Sequence, residues 1–452
     1  MYSRLYLLFL SRCTLHLSNI MSSNISVFAN LITTYPTWTE LSAFLTSPPG
    51  GRLRIESSDP NYALIRYVKG QSDLSIPHVR AFRSVVWDKN LNRPVSVTPF
   101  KSHDGEGLPP NMDDSNHPYR VQEFVDGVMI GMFWDIYAHT RRIHTRSTLD
   151  AKCRYFSQTK TFKQMFDEVN HGLDDYRGDL ANSDLSWTFV LQHPENRIVS
   201  TVTTPKLICV HEAFVHSNGV VSVKRPQFPV YPSVRPVITY MMSTPAEIQE
   251  EITRMNRDTA IPQGLVIKDL STGESWKIRT ELYNMVRQLR GNSPRRDYLW
   301  LSLWRQNRLP EYLKMYPEEQ FHANAVVQKW KNVTNSAFHI YTDVFKARSM
   351  DRMAIPAKFR PLVYGLHNLY RDTLKPANKS LDWRATMEYM NQRDIAQMLF
   401  VVNWDVREAA KATNAPVIPL EPSPTVGTEI TESMTVPMTM DETTVDITPQ
   451  TA

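Results

Sequence analysis

The chain has 452 residues, of which 42% are hydrophobic and 21% charged, a composition that excludes a largely disordered protein and leaves room for two or three domains. The net charge is +5, but the chain after Lys411 has six acidic residues and no Lys or Arg, so the preceding part is more basic than the total suggests. A basic body favours polyanionic partners such as nucleic acid.

The cysteines Cys13, Cys153 and Cys209 are too few for a disulfide framework and lack metal-ligand spacing, so we expect a reducing compartment and no metal site built on cysteine. The apolar run Leu5 to Leu10 is too short to cross a bilayer. We therefore expect residues 1–20 to be a leader or an upstream-start segment, Met21 to open the folded protein, and the protein not to be in a membrane.

The first predicted elements are helices within residues 27–44, with Thr37 or Thr39 as a cap, and alternating strands at 52–57, 63–69, 82–88 and 93–101. A Gly-, Pro- and Asp-rich loop follows. The stretch "YRVQEFVDGVMIGMFWD" (119–135) alternates on both sides of Asp126-Gly127. Because Gly and Asp tolerate positive φ, this dipeptide predicts the turn of a β-hairpin.

Later elements continue the mixed pattern. We expect helices at 159–172 and 245–255, strands at 186–192, 206–215 and 219–224, and a hairpin within 263–279. Thr280 is expected to cap a helix that Gly291 ends. From Arg296 to Asn414 the pattern is almost wholly helical, and the Thr-, Pro- and acid-rich end is typical of disorder. The whole predicts an α+β fold with antiparallel sheets and a helical C-terminal domain.

An ordered series of short motifs lies between Phe82 and Arg296: "FRSVVWD", "TPFK", "EFVDGV", "HTRST", "FVLQHPENRIV", "QGLVIKDLSTGESWKIR" and "LRGNSPR". In this order they resemble the nucleotidyltransferase domain of phage-type RNA ligases, a family of covalent nucleotidyltransferases. The first motifs are also similar to ligase-like proteins of large DNA viruses. The resemblance implies an antiparallel, ATP-grasp-like ligase core. We expect a cytoplasmic location, which would be a host cytoplasm or a virion if the chain is viral.

In that family, the lysine of a K-x-D-G motif attacks the α-phosphate of ATP, and the nucleotide then passes to an RNA 5′-phosphate. The chemistry requires an unprotonated amine, carboxylates that hold Mg²⁺, and cations that neutralise the phosphates. The resemblance therefore implies ATP and Mg²⁺ as cofactors if activity is retained, and RNA or a nucleotide as the partner.

The match departs from the family at its reactive positions. Asp126 and Gly127 match the D-G pair, but Phe124 stands where the lysine is expected. The expected glutamates fall on Val190 and Gln263, and a valine or an amide binds metal far more weakly than a carboxylate. The matched cations remain: Arg146, Lys277 and Arg279.

We therefore expect a pseudoenzyme that binds RNA or a nucleotide without forming a lysyl-adenylate, and we expect no metal site. The expected nucleotide-binding residues are Lys101, Phe124, Asp126, Gly127, Arg146, Gln263, Lys277 and Arg279, and the expected RNA-binding residues are Arg287, Arg290, Arg295 and Arg296. One alternative is an active ligase that uses another lysine, Lys101 first. Another is a structural or virion-associated interaction protein.

The expected domain organisation follows from the motifs and the composition. The segments are a leader (1–20), the N-terminal part of the core (21–75), the ligase-like nucleotidyltransferase domain (76–295), the helical domain (296–415) and a disordered acidic tail (416–452).

Overall fold

The structure is a computed structural model that describes residues 23–103, 105, 107–110, 112, 119–157, 159–170, 184–224, 234–269 and 272–412. The predicted leader, the predicted tail and most of the loop before Tyr119 lie outside these residues. The described chain forms two compact units, which divide between Arg287 and Gln288.

The first unit contains fifteen strands in its described part. They are β1 (Ser23–Ile25), β2 (Arg54–Glu56), β3 (Tyr62–Arg66), β4 (Val85–Asp88), β5 (Arg93–Val97), β6 (Tyr119–Phe124), β7 (Val128–Asp135), β8 (Thr140–His144), β9 (Leu185–Gln192), β10 (Lys206–Val215), β11 (Val221–Lys224), β12 (Val234–Pro236), β13 (Thr239–Tyr240), β14 (Gly264–Asp269) and β15 (Ser275–Arg279). Its helices are α1 (Val27–Thr34), α2 (Trp38–Thr46), α3 (Phe162–Asp167), α4 (Pro245–Met255) and α5 (Glu281–Arg290), which crosses the division, with short 3-10 turns at Pro77–Ala81 and Pro194–Asn196.

The strands form three sheets. The seven-stranded sheet has the order β1-β11-β10-β9-β7-β8, with β12 joined in parallel to β10. The two four-stranded sheets have the orders β13-β6-β14-β15 and β2-β3-β4-β5. All pairings other than that of β12 are antiparallel, so the described chain has the predicted α+β architecture.

The hairpin predicted at Asp126-Gly127 is wrong. Strand β6 pairs with β13 and β14, whereas β7 pairs with β8 and β9, so the dipeptide carries the chain from one sheet to another. Gly127 is required there because its φ is 153° and a Cβ atom would lie 2.6 Å from the Leu191 carbonyl oxygen. In a hairpin the positive φ of a glycine closes the turn. At Gly127 the positive φ and the missing side chain instead permit two strands to approach closely where the chain passes between sheets. The second predicted hairpin, β14 with β15, is confirmed.

Several predicted local signals are confirmed. Thr37 caps α2 in a reciprocal capping box with Glu40. The Thr280 hydroxyl accepts the Tyr283 backbone N–H at 3.1 Å, and Gly291 follows α5 with a positive φ of 62°. These short-range hydrogen bonds decide where the helices begin and end.

The sheet β13-β6-β14-β15 has two chemically different faces. One face buries Val121, Leu265 and Ile267 against Ile248 and Ile252 of α4. Because side chains alternate along a strand, the other face carries the residues that we call the cationic face: Gln122, Phe124, Lys268, Lys277 and Arg279. The fold thus directs apolar residues to a core and leaves the cations together.

Between Gln288 and Ala412 the described second unit contains only helical elements. They are α6 (Arg296–Arg305), α7 (Leu309–Met315), α8 (Gln320–Tyr341), α9 (Arg360–Leu369), α10 (Trp383–Asn391), α11 (Ile395–Val402) and α12 (Trp404–Ala412), with 3-10 turns at Pro317–Glu319, Arg352–Ala354 and Ala357–Phe359 and π turns at Thr342–Lys346 and Tyr370–Leu374. In its core, the Glu319 carboxylate accepts hydrogen bonds from Trp300 (2.9 Å) and Tyr312 (2.6 Å). No helix in the described residues has the length and apolarity needed to cross a membrane.

His144 connects two sheets of the first unit. Its ring lies at the end of β8, and its Nε2 is 2.8 Å from the Ser96 hydroxyl on β5. Burial lowers the pKa of His144 to about 4, so the ring is neutral in the folded protein at pH 7.

We predict that His144 makes the stability fall with acid. Since an unfolded histidine has a pKa of about 6.5 and the folded one about 4, stability should be lost as the pH falls from 6.5 to 4, by roughly 3 kcal/mol. Urea unfolding at several pH values would measure this loss, which should be smaller in His144→Gln. Replacement of the exposed His139 controls for the removal of an imidazole, and an equal acid loss in His144→Gln would contradict the prediction.

Candidate functional site

The centre of the site is a row of three residues across neighbouring strands. Phe124 at the end of β6 is the register partner of Gly264 at the start of β14, and Gly264 is the partner of Arg279 at the end of β15. The Lys277 ammonium lies 4.8 Å and the Arg279 guanidinium 5.0 Å from the centre of the Phe124 ring. The side chains of Phe124, Lys277 and Arg279 are each more than nine-tenths buried, so two largely desolvated cations contact the face of one phenyl ring.

Gly264 allows β14 and β15 to approach closely beside this row. Its φ is 138°, and a Cβ atom would lie 2.0 Å from the Ile278 carbonyl oxygen, so no other residue fits without a shift of the backbone. Gln263, directly before it, is buried, and its backbone carbonyl accepts the Thr280 N–H at 3.1 Å.

Asp126 has a structural environment. Its Oδ2 accepts the backbone N–H groups of Val199 and Ser200, both at 2.9 Å, and its Oδ1 accepts the Tyr283 hydroxyl at 2.8 Å. Burial, and then the charge of Asp126, raise the pKa of Tyr283 far above its usual value, which keeps the hydroxyl a donor. Both carboxylate oxygens of Asp126 therefore hold protein groups from separate parts of the chain.

Val190 occupies the space beside the sheet crossing. Its Cγ1 would lie 2.6 Å from a Cβ atom at Gly127, and the residue is buried on β9 between Met129 and Ile208. A hydrocarbon side chain offers no oxygen to a cation. The structure thus brings together the predicted site residues Phe124, Asp126, Gly127, Gln263, Lys277 and Arg279, and it places Val190 against them.

The buried polar atoms that have no hydrogen-bond partner within the described part of the chain include three on the strands beside the site: Gln122 Oε1, Thr188 Oγ1 and His211 Nε2. Gln122 is on the cationic face. Thr188 and His211 are register partners on β9 and β10, and strand alternation puts Thr188 on the same face of its sheet as Val190. Since buried polar groups are nearly always paired, each of these atoms has a hydrogen-bonding position open to a water molecule or a ligand.

Lys268 links the cationic face to the sheet that carries Thr188 and His211. Its ammonium donates to the Val210 carbonyl oxygen of β10 at 3.0 Å. Burial, with a smaller contribution from Arg120, lowers the pKa of Lys268 to about 8. Sequence reasoning missed Lys268, Gln122, Thr188 and His211, because nothing in their local sequence distinguishes them from ordinary strand residues.

Two other predicted residues are held by backbone groups. The Lys101 ammonium is buried and donates to the Ser102 carbonyl oxygen at 3.3 Å. The Arg146 guanidinium donates to the carbonyl oxygens of Arg83 (3.2 Å) and Tyr67 (3.0 Å), and it lies 4.3 Å from the centre of the Tyr67 ring. These contacts place Arg146 against the sheet β2-β3-β4-β5.

The four arginines predicted to bind RNA lie in different environments. Arg290 is fully buried, 5.6 Å from the Tyr316 ring, and so has no surface for a phosphate. Arg296 forms an ion pair with the buried Glu319 at 2.6 Å. Arg287 and Arg295 are half-buried and keep some exposed surface. The basic sequence pattern therefore reflects, in part, the internal electrostatics of the helical unit.

The described residues contain no group of three or more His, Cys, Asp or Glu that could hold a metal ion. At the site itself, Val190 and Gln263 stand where the resemblance predicts metal-binding carboxylates. These residues do not fit a Mg²⁺ ion, which prefers carboxylate oxygens in octahedral geometry.

Comparison with known proteins found no matching family model and no matching curated protein. Among solved structures, two forms of an archaeal ATP-dependent RNA ligase match with TM-scores of 0.37, at 13% identity over 80% of this chain and 88% of that one, and at 12% over 86% and 82%. A structure from Aquifex aeolicus, provisionally described as an ATP-dependent DNA ligase, matches with a TM-score of 0.34 at 12% identity over 83% and 80% of the two chains. Similarity at this level does not assign the chain to a family or an activity.

We predict that Asp126→Ala lowers the free energy of unfolding by roughly 3–5 kcal/mol, because it leaves two buried N–H groups and a buried hydroxyl unpaired. Tyr283→Phe should cost about 1–2 kcal/mol. Urea unfolding of the two single variants and the double variant would measure their coupling. Glu250→Ala, an exposed change on α4, should alter stability by no more than about 0.5 kcal/mol, and strictly additive losses would contradict the direct contact.

Proposed function

We propose that the protein is RNA-ligase-like and binds RNA or a nucleotide without forming a covalent lysyl-nucleotide. The motif order supports a core like that of phage-type RNA ligases. The similarity of the first motifs to ligase-like proteins of large DNA viruses supports a viral origin, with action in a host cytoplasm or virion.

The observation that carries the proposal is the environment of Phe124. A phenyl ring has no lone pair with which to attack phosphorus, yet it lies against Lys277 and Arg279, the two cations expected to face phosphate groups. Asp126, two residues later, has a role in holding the fold that does not require a nucleophile beside it. The arrangement supports retention of the binding cations together with loss of covalent chemistry.

Several groups could hold a nucleotide. Lys277 and Arg279 are suited to phosphate oxygens, and an arginine can bind two of them at once. The buried Gln122 Oε1, Thr188 Oγ1 and His211 Nε2 could pair with donors and acceptors of a base or ribose. His211 would bind as a neutral ring, because burial lowers its pKa to about 3.

The alternative of an active enzyme needs another amine. Lys101 is already bound to a backbone carbonyl, and an attacking amine must also be aligned with the α-phosphate. Lys268 also donates to a backbone carbonyl, but it has the lowered pKa that a nucleophile needs and lies on the cationic face, so it is a second candidate. Both lysines can be tested directly.

We expect no labelled protein after incubation with α-labelled ATP or GTP and Mg²⁺ or Mn²⁺, followed by denaturing electrophoresis. The expected result follows from the absence of a lysine at position 124. A stable labelled band would overturn the proposal. If a band appears, its loss in Lys101→Ala or in Lys268→Ala would identify the amine, and Lys206→Ala, an exposed lysine of the same unit, is the control.

Non-covalent binding gives a second prediction. Lys277→Gln and Arg279→Gln should each weaken ATP binding by about tenfold or more, since each removes one charge-assisted contact with a phosphate. Isothermal titration calorimetry in the absence of metal would measure this, with Lys206→Gln as the control. Unchanged affinity in both variants would argue against a phosphate site at the cationic face.

RNA binding separates the proposal from a purely structural or virion-associated role. The proposal expects RNA binding that weakens as salt rises, because Lys and Arg contacts release counterions from the phosphates. Fluorescence anisotropy with a labelled single strand at several salt concentrations would measure it. Absence of both nucleotide and RNA binding at low ionic strength would favour the structural role.

A further inference from the structure

Two arginines lie directly opposite each other in the sheet β2-β3-β4-β5. Arg54 on β2 is the register partner of Arg66 on β3, so their Cβ atoms are about 5 Å apart. Like charges in this position destabilise a strand pair. A fold that holds them here needs a compensating negative charge.

Arg66 is the buried member of the pair. Only 7% of its surface is exposed, and no hydrogen bond or ion pair joins its side chain to another residue that the structure describes. Arg54 is exposed at the rim of the same strand pair. Burial, followed by the charges of Arg146 and Arg54, lowers the pKa of Arg66 to about 10.

Arg146 adds a third guanidinium from the segment after β8. Its hydrogen bond to the Tyr67 carbonyl oxygen fixes it beside the residue that follows Arg66. The acidic group that acts on Arg66 is Glu56, two residues after Arg54 and opposite Leu64, and no ion pair joins it to Arg66. The charges of Arg146 and Arg54 each act on Arg66 more strongly than that of Glu56, so the charge around Arg66 is positive.

We propose that Arg54, Arg66 and Arg146 form a binding site for a phosphate group, carried either by a free oligophosphate or by the 5′ end of a nucleic acid. A phosphate offers oxygens to more than one guanidinium at once and supplies the missing negative charge. Arg66 forms the floor of the site, Arg54 closes its rim, and Arg146 is positioned by its backbone contacts. The site does not depend on Phe124 or on any covalent chemistry.

The first experiment measures thermal stability with and without tripolyphosphate at matched ionic strength. Tripolyphosphate should raise the Tm of the wild-type protein, and the increase should be lost in Arg54→Gln and in Arg66→Met. Arg257→Gln, an exposed arginine of the same unit, should keep it. An equal increase in all four proteins would overturn the site. The site would also be overturned if the wild type showed neither an increase in Tm at millimolar tripolyphosphate nor the RNA preference described below.

The sign of the effect without ligand separates a binding residue from a structural one. If Arg66 serves an anion, Arg66→Met should leave the Tm in phosphate-free buffer unchanged or higher, because it removes a buried like-charge contact. A lower Tm in that buffer would show that Arg66 stabilises the fold by itself and would overturn its assignment as a ligand-binding group.

The second experiment identifies the source of the phosphate. Affinities are measured for one RNA oligonucleotide with either a 5′-phosphate or a 5′-hydroxyl. A nucleic-acid end as the ligand predicts binding of the phosphorylated strand about tenfold tighter, a preference that Arg54→Gln removes. Equal affinities together with stabilisation by tripolyphosphate would assign a free oligophosphate. Neither result depends on the label-transfer assay, so this site and the proposed function can fail separately.

Discussion

The hydrogen bonds of the Asp126 carboxylate are the interactions on which the rest of the site depends. The carboxylate receives two backbone N–H groups after β9 and the hydroxyl of Tyr283 on α5, while the Gln192 amide binds the Asp126 backbone carbonyl at 2.8 Å. Charge-assisted hydrogen bonds of this kind contribute about 1.5–3 kcal/mol each. Because Asp126 lies between β6 and β7, these bonds fix the position at which one sheet gives way to the other. Phe124 and the cations beside it are placed by this junction.

This arrangement separates the two roles that a D-G pair can have. The aspartate and the glycine serve the backbone: one binds orphaned N–H groups, and the other admits a carbonyl that a side chain would block. Phe124, two residues earlier, takes no part in the hydrogen bonds of the Asp126 carboxylate. The phenyl ring lies where its electron-rich face can stabilise the cations Lys277 and Arg279.

Local chemistry made much of the fold predictable, whereas the site needed long-range information. Helix α4 follows directly from its apolar spacing, and the Thr280 cap from a single hydroxyl. The junction at Asp126 was mistaken for a hairpin because strand pairing depends on partners far along the chain, which the dipeptide does not specify. The sequence did not single out Tyr283 or Arg66, since a tyrosine on a helix or an arginine on a strand has the same local pattern whether its side chain is buried or exposed. The four predicted RNA-binding arginines looked alike in sequence, yet burial distinguishes Arg290 from the others.

The phenyl ring at position 124 also restricts how this chain could change. Phenylalanine and lysine codons differ at every base, so no single base change places an amine at position 124, whereas one base change converts a glutamine codon, as at position 263, into a glutamate codon. A lysine that did arise at position 124 would lie beside Lys277 and Arg279, whose charges would favour its neutral, reactive form. The surroundings would still suit a nucleophile, but the genetic code makes the path to one long.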